Sequence, residues 1–302
     1  MLGKVFKAYD IRGTYPDPLT DQRAWQIGYG CSKFLLSSAA GVGETSPMMK
    51  NIVVGRDMRK SSPALSKQLM QGITDHGGHV IDVGLVDTPF IYFAINHLNC
   101  AGGVMTTASH NPPQYNGFKV SMRKAKPVGE TSGLAEVRKH AAMVDRTSHP
   151  SAGGRTEQRD LWDAYIKHVR AFISLEKKIK VVVDASNGMA GTMVPKVFGS
   201  KGHEIPNLTI VELNFENSKG EFVHEPNPLV ASNLAQLRER VVKEKADLGI
   251  CFDGDADRCV IVDEAGAIVG CDHLTAVLAK HFLKKPGNAG ATVVYDLRST
   301  KA

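Results

Sequence analysis

The sequence has 302 residues, 42% hydrophobic and 23% charged, a composition that suits about two globular domains and excludes a largely disordered chain. It holds no run of about 18 apolar residues, so no membrane-spanning helix is expected. The 37 Lys and Arg against 31 Asp and Glu leave a net charge of +6, scattered without like-charge blocks. That excess fits an anionic small substrate or a merely solvated surface, and no nucleic-acid motif accompanies it.

Short apolar runs alternate with amphipathic segments. A helix is predicted over Asp21–Leu36, with Thr20 as its N-cap. Strands follow at 51–55, 80–84 and 102–106, with helices at 62–77 and 89–96 between them. The alternation predicts a mainly parallel sheet with helices on its faces. Residues 123–160 break the rhythm: they are polar and rich in Gly and Pro, and read as an exposed helix near 132–143 followed by a linker. A helix over 161–173 opens a second series, with strands at 180–184, 208–213, 247–252 and 259–263 and helices after 191 and over 230–245. A helix over 273–283, a turn at Pro286-Gly287 and a strand over 291–295 then begin a third unit. One helix and one strand do not bury a core alone. The expected fold is therefore α/β: two related three-layer domains with mixed, mainly parallel sheets (residues 1–155 and 156–266) and an incomplete third domain (267–302).

Five cysteines, none in a C-x-x-C pair, argue against a disulfide framework or a zinc site. The N-terminal residues carry no signal-peptide pattern, and a reducing cytoplasm is the expected location.

Two segments concentrate reactive groups. In Thr106-Thr-Ala-Ser-His-Asn-Pro-Pro-Gln-Tyr-Asn-Gly-Phe-Lys-Val120 a strand enters a polar turn presenting Ser109, His110 and Asn111, stiffened by Pro112 and Pro113, before Lys119 returns on a strand. An ordinary serine in an Asx-type turn is the alternative. In Asp253-Gly-Asp-Ala-Asp-Arg258 three carboxylates alternate after an apolar strand; period two would put them on one face, where oxygen ligands favour a hard cation such as Mg²⁺. A solvated acidic turn is the alternative. An EF-hand is rejected, because Arg258 stands where that loop needs glycine and 259–262 reads as strand. Tyr9-Asp-Ile-Arg-Gly13 offers an Arg and a hydroxyl that suit a phosphate. Gly55-Arg-Asp-Met-Arg-Lys-Ser-Ser62 reads as an anion site or, preferably, as a helix cap with solvated cations.

Taken together, Tyr9-Asp-Ile-Arg-Gly13, Thr107-Ala-Ser-His-Asn-Pro-Pro113 and Asp253-Gly-Asp-Ala-Asp-Arg258 resemble the signatures of the α-D-phosphohexomutase superfamily in order and spacing. Val183-Asp-Ala-Ser-Asn-Gly188 and His224-Glu-Pro-Asn-Pro-Leu229 add to the likeness, which is greatest for the bacterial phosphomannomutase/phosphoglucomutase branch. The resemblance implies a phosphorylated Ser109 and Mg²⁺ held by Ser109, Asp253, Asp255 and Asp257. It implies interconversion of hexose 1- and 6-phosphates through a bisphosphate. Lys119, Arg258 and His110 would be catalytic, with Lys119 a general base if its pKa were depressed; Tyr9, Arg12 and Asn111 would border the substrate. A phosphoglucosamine mutase, a Mg²⁺ phosphatase and a non-catalytic sugar-phosphate or metal-binding protein are the alternatives. Family members have four domains, and the loops of the third and fourth are not found in this sequence. The chain is therefore expected to be a fragment with little turnover. The sequence is silent on mannose against glucose and on oligomeric state.

Overall fold

The computed structural model describes residues 2–40, 47–149, 151–199 and 204–295. The first sheet has the order β7-β3-β2-β4-β5-β1. Its strands are β1 (Ile11–Thr14), β2 (Asn51–Arg56), β3 (His79–Leu85), β4 (Gly102–Thr106), β5 (Tyr115–Met122) and β7 (Thr156–Gln158), and the short β6 (Lys126–Pro127) pairs with β5. The centre is parallel, as β–α alternation demands, and the β4–β5–β1 margin is antiparallel. Helices α1 (Asp21–Ala40), α2 (Ser62–Asp75) and α4 (Leu134–Ala142) cover one face, over a core that includes Ile11, Leu35, Ile52, Leu65, Leu69, Val104 and Phe118. Backbone meets backbone between α1 and α2: a Cβ on Gly28 would lie 2.0 Å from the Leu69 carbonyl oxygen.

Helix α3 (Thr88–Leu98) lies on the other face. There Val53, Ile81, Phe90 and Met105 share one apolar cluster with Tyr165 of α5 (Trp162–Arg170) and with Met189 and Met193, at and within α6 (Ala190–Phe198). That cluster joins the two sheets.

The second sheet has the order β12-β11-β10-β8-β9. Its strands are β8 (Ile179–Asp184), β9 (Leu208–Leu213), β10 (Leu248–Phe252), β11 (Cys259–Asp263) and β12 (Ile268–Val269). Here too a parallel β9-β8-β10 core carries an antiparallel margin. One face packs on α7 (Ala235–Glu244) through Leu237 and Val241, the other on α6 through Ala190 and Val194, so both units are three-layered α/β.

Three expectations are corrected. The segment read as a linker contains β7, which pairs with β3, so the first sheet runs past the expected boundary at residue 155. Helix 230–245 divides into a 3-10 turn at Ala231–Leu234 and α7. Residues 291–295 form no strand; the run has the composition of one but, among the described residues, no neighbouring strand to pair with. Ahead of them, helix α8 (Cys271–Leu283) is present, and 296–302 lie outside the described residues.

Candidate active site

Strand β4 delivers the chain to the serine loop at its carboxyl end, where α/β sheets bind ligands. The Ser109 amide donates to Thr107 Oγ1 (3.0 Å), and Ser109 adopts a left-handed φ of 52°. Beyond the loop, β5 returns beside β4 and sets Lys119 opposite Met105.

The aspartate loop joins β10 to β11. It is not the extended segment that period-two spacing suggested: the Ala256 amide donates to the Asp253 carbonyl (3.1 Å), and Ala256 has φ 55°. This turn, closed by amides of Asp257 and Arg258 donating to Asp253 Oδ1 (3.1 Å each), draws the carboxylates together. Asp253 and Asp255 are buried, while Asp257 reaches the surface. The turn is held from behind. Ser186 Oγ donates to the Phe252 carbonyl (2.6 Å) and the Met189 amide to that of Gly254 (2.9 Å). Beneath them, buried Asp184 accepts from the Ser186 amide and Asn214 and pairs with His224 Nε2 (3.1 Å).

The two loops meet at Ser109, whose Oγ donates to Asp253 Oδ2 at 2.7 Å across 144 residues of sequence. His110 Nδ1 lies 3.4 Å from the same Oγ. Lys119 Nζ bridges Asp255 Oδ2 (2.6 Å) and Asp257 Oδ2 (2.5 Å). Thr88 fixes Asp255 from α3, its hydroxyl donating to Oδ2 and its amide to the Asp255 carbonyl.

Burial and the charges of Asp255 and Asp257 push the Asp253 carboxyl well above its ordinary range. Burial also raises Asp257, helped by Asp255. Asp255 goes the other way, because Lys119 and Thr88 outweigh its burial. Burial alone would lower Lys119, but Asp255 and Asp257 overcome it and raise the ammonium above its usual value. The expected depression of the Lys119 pKa is therefore corrected: Asp255 and Asp257 prevail over any neighbouring cation. Burial, with Arg258 and Arg12, lowers His110 and favours its neutral form.

The donor set fits a hard cation. One carboxylate oxygen each from Asp253, Asp255 and Asp257 lie within 4.8 Å of one another. Among the described residues, the buried Asp255 Oδ1 has no hydrogen-bond partner, a costly state for a carboxylate oxygen that a bound cation would relieve. An all-oxygen set of this charge suits Mg²⁺ better than a soft metal.

Over these groups lies a cleft of about 460 Å³, lined by Tyr9, Arg12, Ser109, His110, Lys119, Asp257 and Arg258 among others. Most of the site residues expected from sequence thus converge on one opening, with Asp253 and Asp255 beneath it. Asn111 is the exception: its amide donates to the Ala108 carbonyl (2.8 Å) and the residue does not line the cleft. Sequence reasoning missed Thr88 and misread Arg59. Arg59 is not a solvated cation near a helix cap but a buried side chain that donates to carbonyls of the serine loop, and Ser61 makes no side-chain cap bond.

Two family models match this chain. The phosphoglucomutase/phosphomannomutase alpha/beta/alpha domain I model matches residues 3–145, and that of domain II matches residues 163–266. The chain belongs to the phosphoglucomutase/phosphomannomutase family. The domain I match contains Ser109, and the domain II match contains the three aspartates. Among similar relatives is a phosphomannomutase/phosphoglucomutase of Pseudomonas aeruginosa, 39% identical over 98% of this chain and 60% of its own length. A phosphomannomutase of Escherichia coli is 36% identical over 97% of this chain and 62% of its own. The crystal structure of a phosphoglucomutase/phosphomannomutase family protein from Burkholderia thailandensis superposes with a TM-score of 0.79, at 32% identity, over 92% of this chain and 58% of that one. The chain thus spans about 60% of the length of the curated relatives it matches. Among the described residues no helix is long and apolar enough to cross a membrane.

Proposed function

We propose that this chain carries the phosphoryl-transfer centre of a hexose-phosphate mutase acting on mannose or glucose 1- and 6-phosphates. Ser109 Oγ would accept a phosphoryl group from a hexose bisphosphate: the Oγ–P bond forms as the P–O bond to the sugar breaks, Oγ loses its proton and the departing sugar oxygen gains one. In turnover that step would be the second half. Phosphorylated Ser109 would first give its group to the free hydroxyl of a hexose monophosphate, the Oγ–P bond breaking as the sugar O–P bond forms and the proton passing from the sugar hydroxyl to Oγ. The bisphosphate so formed would then return its other phosphoryl group to Oγ. Mg²⁺ bound by Asp253, Asp255 and Asp257 together with the Ser109 phosphate would neutralise charge on the group in flight.

The observation that carries this reading is the 2.7 Å bond from Ser109 Oγ to Asp253 Oδ2 beside the unpartnered Asp255 Oδ1. A serine in an incidental turn would not face three clustered carboxylates, two of them buried. Lys119 and Arg258 border the cleft as cations that can stabilise the phosphoryl oxygens, His110 orients the hydroxyl, and Tyr9 and Arg12 offer contacts to the substrate.

Incubation with glucose 1,6-bisphosphate and Mg²⁺, followed by intact mass measurement, tests the reading. The protein is expected to gain one phosphoryl group and Ser109→Ala none. A wild-type protein that stays unmodified, or an S109A protein that gains the group equally, overturns it.

A further inference from the structure

Arg59 is only 1% exposed, and all five of its guanidinium N–H donors have partners. Nη2 donates to the Ser109 carbonyl (2.8 Å) and the Asn111 carbonyl (2.7 Å). Nη1 donates to those of Pro112 (2.7 Å) and Tyr115 (3.0 Å). Nε is paired with Asp57 Oδ2 at 3.1 Å, and Asp57 is itself fixed by the Arg59 amide and by Ser62 Oγ. The serine loop contains two prolines and a non-glycine residue in the left-handed region. Four of its carbonyls turn toward Arg59, and one planar cation gathers them.

We propose that Arg59 is a positioning residue. Its guanidinium clamps the backbone from Ser109 to Tyr115 and holds Ser109 in the left-handed conformation that brings Oγ to the aspartates. The anchor is rigid at both ends: Asp57 fixes Nε, and the Phe222 ring lies 5.2 Å from the guanidinium carbon. Lysine cannot replace it, since one ammonium has three donors on one atom and cannot reach four carbonyls spread along a loop. Arg59 does not line the cleft, so it acts through the loop and not on the substrate.

Its effect on rate rests on the phosphoryl-transfer reading above; the clamp itself does not. Arg59→Lys separates the two. Hydrogen exchange is expected to accelerate at the loop amides of 109–117 while those of β2 and α2 keep their protection. The maximum rate of Ser109 phosphorylation by glucose 1,6-bisphosphate should fall about 100-fold, with its half-saturating concentration within about twofold of wild type. Unchanged loop exchange overturns the clamp whether or not the protein takes phosphate. Faster exchange with an unchanged maximum rate overturns the positioning role. Faster exchange in a protein whose wild type takes no phosphate supports the clamp and sinks the phosphoryl-transfer reading instead. Should R59K not fold, Asp57→Asn, which loosens Nε alone, is expected to give the same pattern in milder form; its absence there counts against the proposal equally.

Discussion

A Cβ placed on Gly254 would lie 2.3 Å from the carbonyl oxygen of Ser109. The aspartate loop and the serine loop therefore touch backbone to backbone at a distance that admits only hydrogen at this position. Gly188 stands behind in the same way, its own Cβ position 2.7 Å from the Gly254 carbonyl oxygen. The approach of Ser109 Oγ to Asp253 depends on this stack as much as on the polar groups.

Gly254→Ala is expected to push the loops apart at a cost of about 1–3 kcal/mol, the range for overpacking a tight site. The obstacle is backbone, not a flexible side chain, so relaxation is limited. Gly3→Ala, where nothing lies within 4 Å, serves as the control and should be neutral. Urea denaturation of both variants beside wild type checks the difference; equal midpoints for all three would remove the packing argument.

Much of this arrangement is legible in the sequence, and the exceptions have a common cause. Strands at Gly102–Thr106, Leu208–Leu213 and Cys259–Asp263 are legible because each is an apolar run bounded by turn residues. Thr156–Gln158 is fully exposed and without an apolar residue, so its pairing with β3 leaves no trace in composition. The reverse holds at 291–295, where strand-like residues lack a partner among the described residues. The site divides along the same line. Ser109 and the aspartates stand out because side chains carry the chemistry. The partners of Arg59 are carbonyls 50 to 56 residues away, and a carbonyl has no residue identity to read.

Asp87 gives the fold a pH dependence of its own. Burial raises its carboxyl to about 8 from an ordinary 3.8, against the Phe90 amide bond that favours its charge; Asp255 adds to the rise, and Tyr165 shares a hydrogen bond with it. Between those values the unfolded chain has lost a proton that the folded chain keeps. Stability from this group is thus fully present below pH 3.8, declines as pH rises, and levels off above about 8. Asp87→Asn cannot ionise and escapes this decline. The stability of D87N relative to wild type is expected to rise from pH 5 to pH 8, by at most about 1.4 kcal/mol per pH unit. Urea titrations at pH 5, 6.5 and 8 measure it, and a difference that stays flat would show Asp87 to be ionised in the fold.

Lys119 holds two of the three carboxylates that a cation would need. Its ammonium and Mg²⁺ compete for Asp255 and Asp257, so removing the ammonium should favour the metal. Lys119→Met is expected to bind Mg²⁺ about tenfold more tightly, a gain of ~1.4 kcal/mol, while losing phosphoryl transfer. Calorimetric titration with Mg²⁺ is the check. Weaker binding would mean that the lysine organises the carboxylates instead of competing for them.

Thr88 acts on the same Asp255 oxygen with the opposite sign. Its hydroxyl donates to Oδ2, and its amide bond to the Asp255 carbonyl (3.1 Å) is independent of the side chain. Thr88→Val keeps the shape and the amide bond and deletes one donor. Asp255 already has an unpartnered oxygen, so the loss leaves Lys119 as the chief restraint on a fully buried carboxylate. Without metal the variant should be less stable by about 1–3 kcal/mol. Groups that orient a metal ligand typically account for about 10- to 100-fold in metal affinity, so Mg²⁺ binding should weaken at least about tenfold. K119M and T88V thus move Mg²⁺ affinity in opposite directions from one carboxylate. Weaker binding in both variants would make Lys119 an organiser of that carboxylate alongside Thr88, and tighter binding in T88V would show that the hydroxyl does not orient Asp255 for the metal.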